Sequence, residues 1–98
     1  MIIVQAKAIP KDESSQKKII EYAENLIENS KKEEGNIDYN LFINTTDKTL
    51  LFVEQWESKE ILNTHLQTEH FLKFGANIDG LLEGDLAIQV FSADEISL

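Results

Sequence analysis

Two side chains in this sequence have ordinary ionisations near neutrality, His65 and His70, and any proton transfer at physiological pH looks to them first. On an unbroken helix their five-residue spacing would set them about 140 degrees apart. Thr68, a capping type, stands between them, so they need not share a face. A two-histidine metal site asks for i, i+3 or i, i+4 spacing and for more ligands, so no metal is expected. The bland role for each is a hydrogen bond to a helix end. The chemical role, general base, falls to His65 before His70.

Other residues could support such a base. Tyr39 and Glu54 occupy facing positions of two successive apolar-polar alternating runs. A carboxylate on an otherwise apolar face must be hydrogen-bonded or have a raised pKa. Glu54 bonded to a His or Tyr is then structural, or it orients a catalytic histidine. Trp56, a large ring with a single N–H donor, suits either a pocket wall that stacks on an aromatic ligand or plain core packing. Phe42, Phe52, Phe71 and Phe74 read as core, although Phe71 and Phe74, three apart on a helix, could also line a cavity.

The elements that must position these groups follow from periodicity. Met1 to Ile9 is a strand closed by Pro10. From Asp12 or Ser14 to about Lys32, Ile19, Ile20, Ala23, Leu26 and Ile27 form one buried helical stripe, and Gly35 suits a left-handed C-terminal cap. The mixed run Lys31-Lys32-Glu33-Glu34 reads as a solvated helix end. Ile37 to Ile43 and Thr49 to Trp56 form a hairpin across Thr45–Lys48. Ser58 caps a short helix carrying Leu62 and His65, and Thr68 caps a second piece carrying Phe71, Phe74, Ile78 and Leu81 or Leu82. Leu86 to Ser92 is the last strand, and residues 93–98 are a tail or arm.

The order β-α-β-β-α-β is the ferredoxin-like α+β arrangement, with helices on one face of a four-stranded antiparallel sheet in a single domain, 1–98. Ile3, Ile9, Leu51, Val53, Ala87 and Phe91 alternate with the set of Ile2, Val4, Phe52 and Val90, so the face opposite the helices is apolar too. A homodimer through that face would bury it.

Nine lysines and no arginine stand against eighteen Asp plus Glu, a net charge of −9. Nucleic acid and anionic membrane surfaces are excluded as partners by that field and by the lack of a guanidinium. With no cysteine, disulfides, thiolate nucleophiles and Cys-held metals are excluded. The N-terminus turns polar by Gln5 and Lys7, with no basic and apolar leader and no run of spanning length, so a cytoplasmic protein is expected.

Gly35-Asn-Ile-Asp-Tyr39, Phe52-Val-Glu54-Gln55-Trp56-Glu57-Ser58 and His65-Leu66-Gln67-Thr68-Glu69-His70-Phe71 together resemble the signature stretches of the antibiotic biosynthesis monooxygenase domain family, including its quinol monooxygenase members. The resemblance spans nearly the whole chain. It implies a dimeric α+β barrel with a pocket between sheet and helices in each unit. It also implies cofactor-independent oxygenation of a small aromatic quinol or anthrone-like substrate, with no cofactor. In that scheme His65 is the base, Tyr39, Asn40 and Trp56 position the substrate, Glu54 supports the base, and His70, Phe71 and Phe74 complete the contacts. In the haem-degrading branch the ligand histidine would fall near Gly75 and the ruffling tryptophan near His65; glycine cannot ligate iron. Two alternatives stay open: a non-catalytic or stress-associated dimer that binds a small hydrophobic ligand, and an isomerase-type member acting on phosphorylated molecules, which the absence of arginine disfavours.

Overall fold

Asp12 can begin a helix because its carboxylate takes a backbone N–H that the first turn leaves unpaired. In the computed structural model, which describes residues 1–98, Asp12 Oδ1 accepts from the Ser15 N–H at 2.7 Å, and α1 runs Glu13–Lys31. Strand β1 (Ile2–Ala8) precedes it. β2 (Asn36–Ile43) and β3 (Leu50–Trp56) form the hairpin. Then come α2 (Lys59–His65), α3 (Glu69–Ile78) and β4 (Ala87–Ser92).

The strands lie in the order β2-β3-β1-β4, with every pair antiparallel, so β2 and β4 are the edges. This is the ferredoxin-like α+β fold expected from the alternation of periods. The core lies between one sheet face and the helices. Val4, Ala6 and Ala8 of β1 and Leu50, Phe52 and Trp56 of β3 meet Ile19, Ala23 and Leu26 of α1 there. On β3 burial alternates strictly, with Leu50, Phe52, Glu54 and Trp56 buried and Leu51, Val53 and Gln55 half-buried. That two-residue period is what aims Glu54 and Trp56 under the helices.

One expectation fails. Phe42, read as core, is 53% exposed, because Tyr39 and Leu41 are the β2 residues that point inward and alternation turns Asn40 and Phe42 to the opposite face with their partners Val53 and Leu51.

Gly35 does more than cap. Its φ of +84° is in the left-handed region, and a Cβ there would lie 2.7 Å from Ile61 Cγ2 on α2. Its carbonyl accepts from the Glu57 N–H at 2.9 Å, which ties the α1–β2 turn to the β3–α2 turn. Gly80 has almost the same φ, +83°, with nothing within 4 Å of the Cβ position. Gly80→Ala should therefore lose only the left-handed strain, about 1–2 kcal/mol. Gly35→Ala should lose about 1 kcal/mol or more beyond that through crowding of Ile61. Urea unfolding of both variants measures the difference, and equal losses would remove the packing role of Gly35.

Candidate functional site

The site begins with two hinge contacts. Ser58 Oγ accepts from the Ile61 N–H at 3.2 Å and starts α2 at the end of β3. Thr68 Oγ1 then accepts from the Phe71 N–H at 3.3 Å while donating to the His65 carbonyl at 2.7 Å. One hydroxyl thus closes α2 and opens α3. The break sets His65 and His70 side by side, as an unbroken helix could not.

Both imidazoles meet the same oxygen. His65 Nδ1 lies 2.6 Å and His70 Nε2 2.8 Å from Glu33 Oε2. An ionised carboxylate only accepts, so each of those ring nitrogens carries its hydrogen, and the Nε2 of a neutral His65 is bare. That Nε2 is buried without a partner. Glu33 is the residue that sequence reasoning missed. The run expected to be a solvated helix end instead folds one of its carboxylates inward, with the side chain only 14% exposed. Lys31 and Lys32 stay in water. The only available signal was a glutamate just ahead of Gly35, a turn that brings the end of α1 back over α2. The ligand atoms of Glu33, His65 and His70 lie within 4.8 Å of one another, a set a divalent cation could share. Here the two N–H···O bonds satisfy it.

Next to this trio lies an aromatic cluster. The Trp56 and His65 ring centroids are 4.5 Å apart, Tyr39 and His65 5.5 Å, and His65 and Phe71 5.2 Å. Trp56 and His65 are fully buried. Burial holds the His65 pKa below its ordinary value, although Glu33 pulls the other way.

Glu54 sits opposite Tyr39 in the β2–β3 ladder, as the sequence alternation indicated. Its carboxylate does not orient a histidine. It accepts from Trp56 Nε1 at 3.0 Å, and Glu33 holds His65 instead. Burial raises the Glu54 pKa to about 7, against the opposing hydrogen bonds from Trp56 and Tyr39. The Tyr39 hydroxyl is pushed up as well, by burial first and then by the Glu54 charge, and stays protonated at all ordinary pH.

Between sheet and helices is a cavity of about 130 Å³. Its polar groups are Glu54 and the Tyr39 hydroxyl, and Phe52, Phe71 and Phe74 form much of the wall. His65, His70 and Trp56 stand behind that wall, and Asn40 is on the far side of the sheet. Of the residues singled out in the sequence, the structure therefore brings Tyr39, Glu54, Phe71 and Phe74 to the cavity and Trp56, His65 and His70 to a supporting cluster. Asn40 belongs to neither, because it is out of phase with Tyr39.

Fold and site together make a ferredoxin-like unit with an apolar pocket between sheet and helices and a buried carboxylate on its wall. Comparison with known proteins gives the family: the model for antibiotic biosynthesis monooxygenase matches residues 1–77, and this chain belongs to that family. YcnE of Bacillus subtilis (strain 168) is 33% identical over 89 residues, which are 90% of this chain and 93% of YcnE. A conserved protein from Methanosarcina mazei Go1 superposes with a TM-score of 0.87 at 28% identity, covering 95% of this chain and 92% of that one. Rv0793 from Mycobacterium tuberculosis shares the fold, with a TM-score of 0.90 at 24% identity and 98% of each chain covered. No helix is long and apolar enough to cross a membrane.

The raised carboxyl of Glu54 has a thermodynamic sign. Its folded pKa, about 7, exceeds its reference value of 4.5, so the folded state binds more proton between those values and loses stability as pH rises through them. Glu54→Gln removes that loss. Relative to wild type, the variant should gain on the order of 3 kcal/mol between pH 4.5 and 7. Taking the difference cancels the opposite trend from His65. Urea midpoints across that range test it, and a pH-independent difference would contradict the raised pKa.

Proposed function

We propose that this protein is a monooxygenase of small electron-rich phenols, in which Glu54 takes the phenolic proton and molecular oxygen is the oxidant. The observation that supports this most is the cavity wall, where a carboxylate with a near-neutral pKa faces an apolar space beside a neutral Tyr39 hydroxyl. General base catalysis works best with a pKa near the working pH. His65, expected from its type to be the base, lies behind the wall and supports the site through Glu33 and Trp56.

The chemistry needs no further reductant. Glu54 accepts the O–H proton. The phenolate gives one electron to oxygen, and the radical pair combines at a ring carbon para to the hydroxyl, forming a C–O bond. The ring C–H proton passes to the terminal peroxide oxygen, the C–H electron pair forms the new C=O, and the O–O bond breaks to leave a quinone and hydroxide. The departing hydroxide takes the proton held by Glu54 and leaves as water. Phenol plus O2 gives quinone plus water, with all four electrons supplied by the substrate. Once Glu54 holds the proton, the Tyr39 O–H that it had accepted from turns to the phenolate oxygen, and the apolar wall limits water, so charge developing there is stabilised by a neighbouring donor.

Size limits the substrate. A cavity of about 150 Å³ accommodates benzene, so the 130 Å³ here fits one aromatic ring and not the fused rings of an anthrone. Oxygen uptake with a panel of single-ring hydroxylated aromatics and no added cofactor is the test. Glu54→Gln should lower the rate on the order of a hundred-fold to ten-thousand-fold, and the wild-type rate should rise through one ionisation near pH 7. If phenols bind without oxygen uptake, the protein is a hydrophobic-ligand binder instead.

The same reading includes a homodimer. Ile3, Leu51, Val53, Phe42 and Phe91 share the sheet face away from the helices, and Phe42 and Phe91 are 53% and 43% exposed. A second copy packed on that face would cover them. Sedimentation at micromolar concentration should show a dimer and Val53→Glu should dissociate it; a monomeric wild type would end this part of the proposal.

A further inference from the structure

The cavity has two unlike ends. Its inner end is Glu54, Tyr39 and Phe52, all nearly inaccessible, and its outer end is Leu66, Ile88 and Val90, exposed by 40, 52 and 51%. Ile88 and Val90 pair with Ala6 and Val4 of β1, so they extend the same floor that carries the core. The helices stop short of them. The result is an apolar trough along edge strand β4 that is continuous with the buried space.

Gly75 completes the opening. It lies within α3, where glycine is destabilising relative to alanine, and nothing lies within 4 Å of the position its Cβ would take. Neither a turn nor a close backbone approach calls for glycine there. Its missing side chain leaves the passage between α3 and β4 wide. Thirteen of the fifteen residues around the cavity are hydrophobic, and Glu54, at the inner end, is the one that ionises. A second polar group on a ligand would find no partner at the mouth, whereas an apolar group would find a surface already prepared.

Resting on the reading of Glu54 and Tyr39 as the phenol-binding end, we infer that the ligand is a single-ring phenol bearing a flexible apolar chain, and that the chain leaves between α3 and β4 over Ile88 and Val90. The whole space from Glu54 to the mouth is about 130 Å³, which one ring takes up. Any further apolar substituent must therefore lie in the trough, where it would cover the exposed edge-strand side chains that otherwise face water.

Chain length gives the test. Phenol and 3-ethyl-, 3-butyl- and 3-hexylphenol are titrated into the protein, and binding is read from the fluorescence of Trp56, the only tryptophan, whose N–H is held by Glu54. Each added methylene should tighten binding about fourfold until the chain outruns the trough. Gly75→Leu, which fills the passage, and Val90→Glu, which charges it, should each bring that ratio toward one. The exposure of both positions keeps the fold out of the comparison. Phenol binding with no gain from the chain overturns this inference and leaves the phenol reading intact, whereas no binding by any of the four overturns both. Loss of a dimer in Val90→Glu would also overturn it, because the trough would then belong to a second copy.

Discussion

A carboxylate that is 5% exposed on the helix-covered face of a sheet must either be neutral or be held by donors, and Glu54 is met by the Trp56 N–H at 3.0 Å. Trp56 and the Tyr39 hydroxyl, both neutral donors, offset part of the cost of burying a charge, not the whole. The remainder appears as a pKa of about 7. Several features of the molecule follow from that incomplete compensation. Trp56 must be fully buried to reach Glu54, Tyr39 must stay protonated beside it, and the space they face stays apolar because nothing else is present to solvate the charge.

Covering the inner part of that space is the task of α2 and α3, and these helices are short. The Glu33 trio fastens them. A single oxygen at the C-terminal end of α1 receives N–H groups from the last residue of α2 and from the first turn of α3. An unpaired ring N–H in such a place costs about 1–3 kcal/mol, so α1, α2 and α3 are coupled through one atom. His65 gains a fixed tautomer and Trp56 gains a rigid neighbour at 4.5 Å. The chemistry proposed for Glu54 therefore depends on a glutamate that lies two turns and a strand before it in the chain.

Much of this was legible in the residues. The two-residue period of Leu50, Phe52, Glu54 and Trp56 and the helical stripe of Ile19, Ala23 and Leu26 define the layers without any tertiary information. Facing placement of Tyr39 and Glu54 follows from the hairpin, and the ladder shows it. Two features lay outside the reach of the residues for one cause, long-range geometry. Glu33 looks like surface because its neighbours Lys31, Lys32 and Glu34 are charged, and only the approach of Gly35 to Ile61 reveals that the turn folds over α2. His65 looks like the base by type, since intrinsic pKa values favour it, whereas burial moves Glu54 into the same range and places it on the cavity wall. Asn40 is excluded by parity with Tyr39, a relation already in the sequence.

The central claim is that Glu54 is a carboxylic acid that ionises near neutrality while facing the ligand space. Infrared difference spectroscopy over a pH titration, with Glu54→Gln as the blank, observes that group directly. A protonated carboxyl C=O band that belongs to Glu54, disappears through a midpoint near pH 7 and shifts when phenol is added is the expected result. A band lost near the reference value of 4.5, or one indifferent to phenol, would contradict the account.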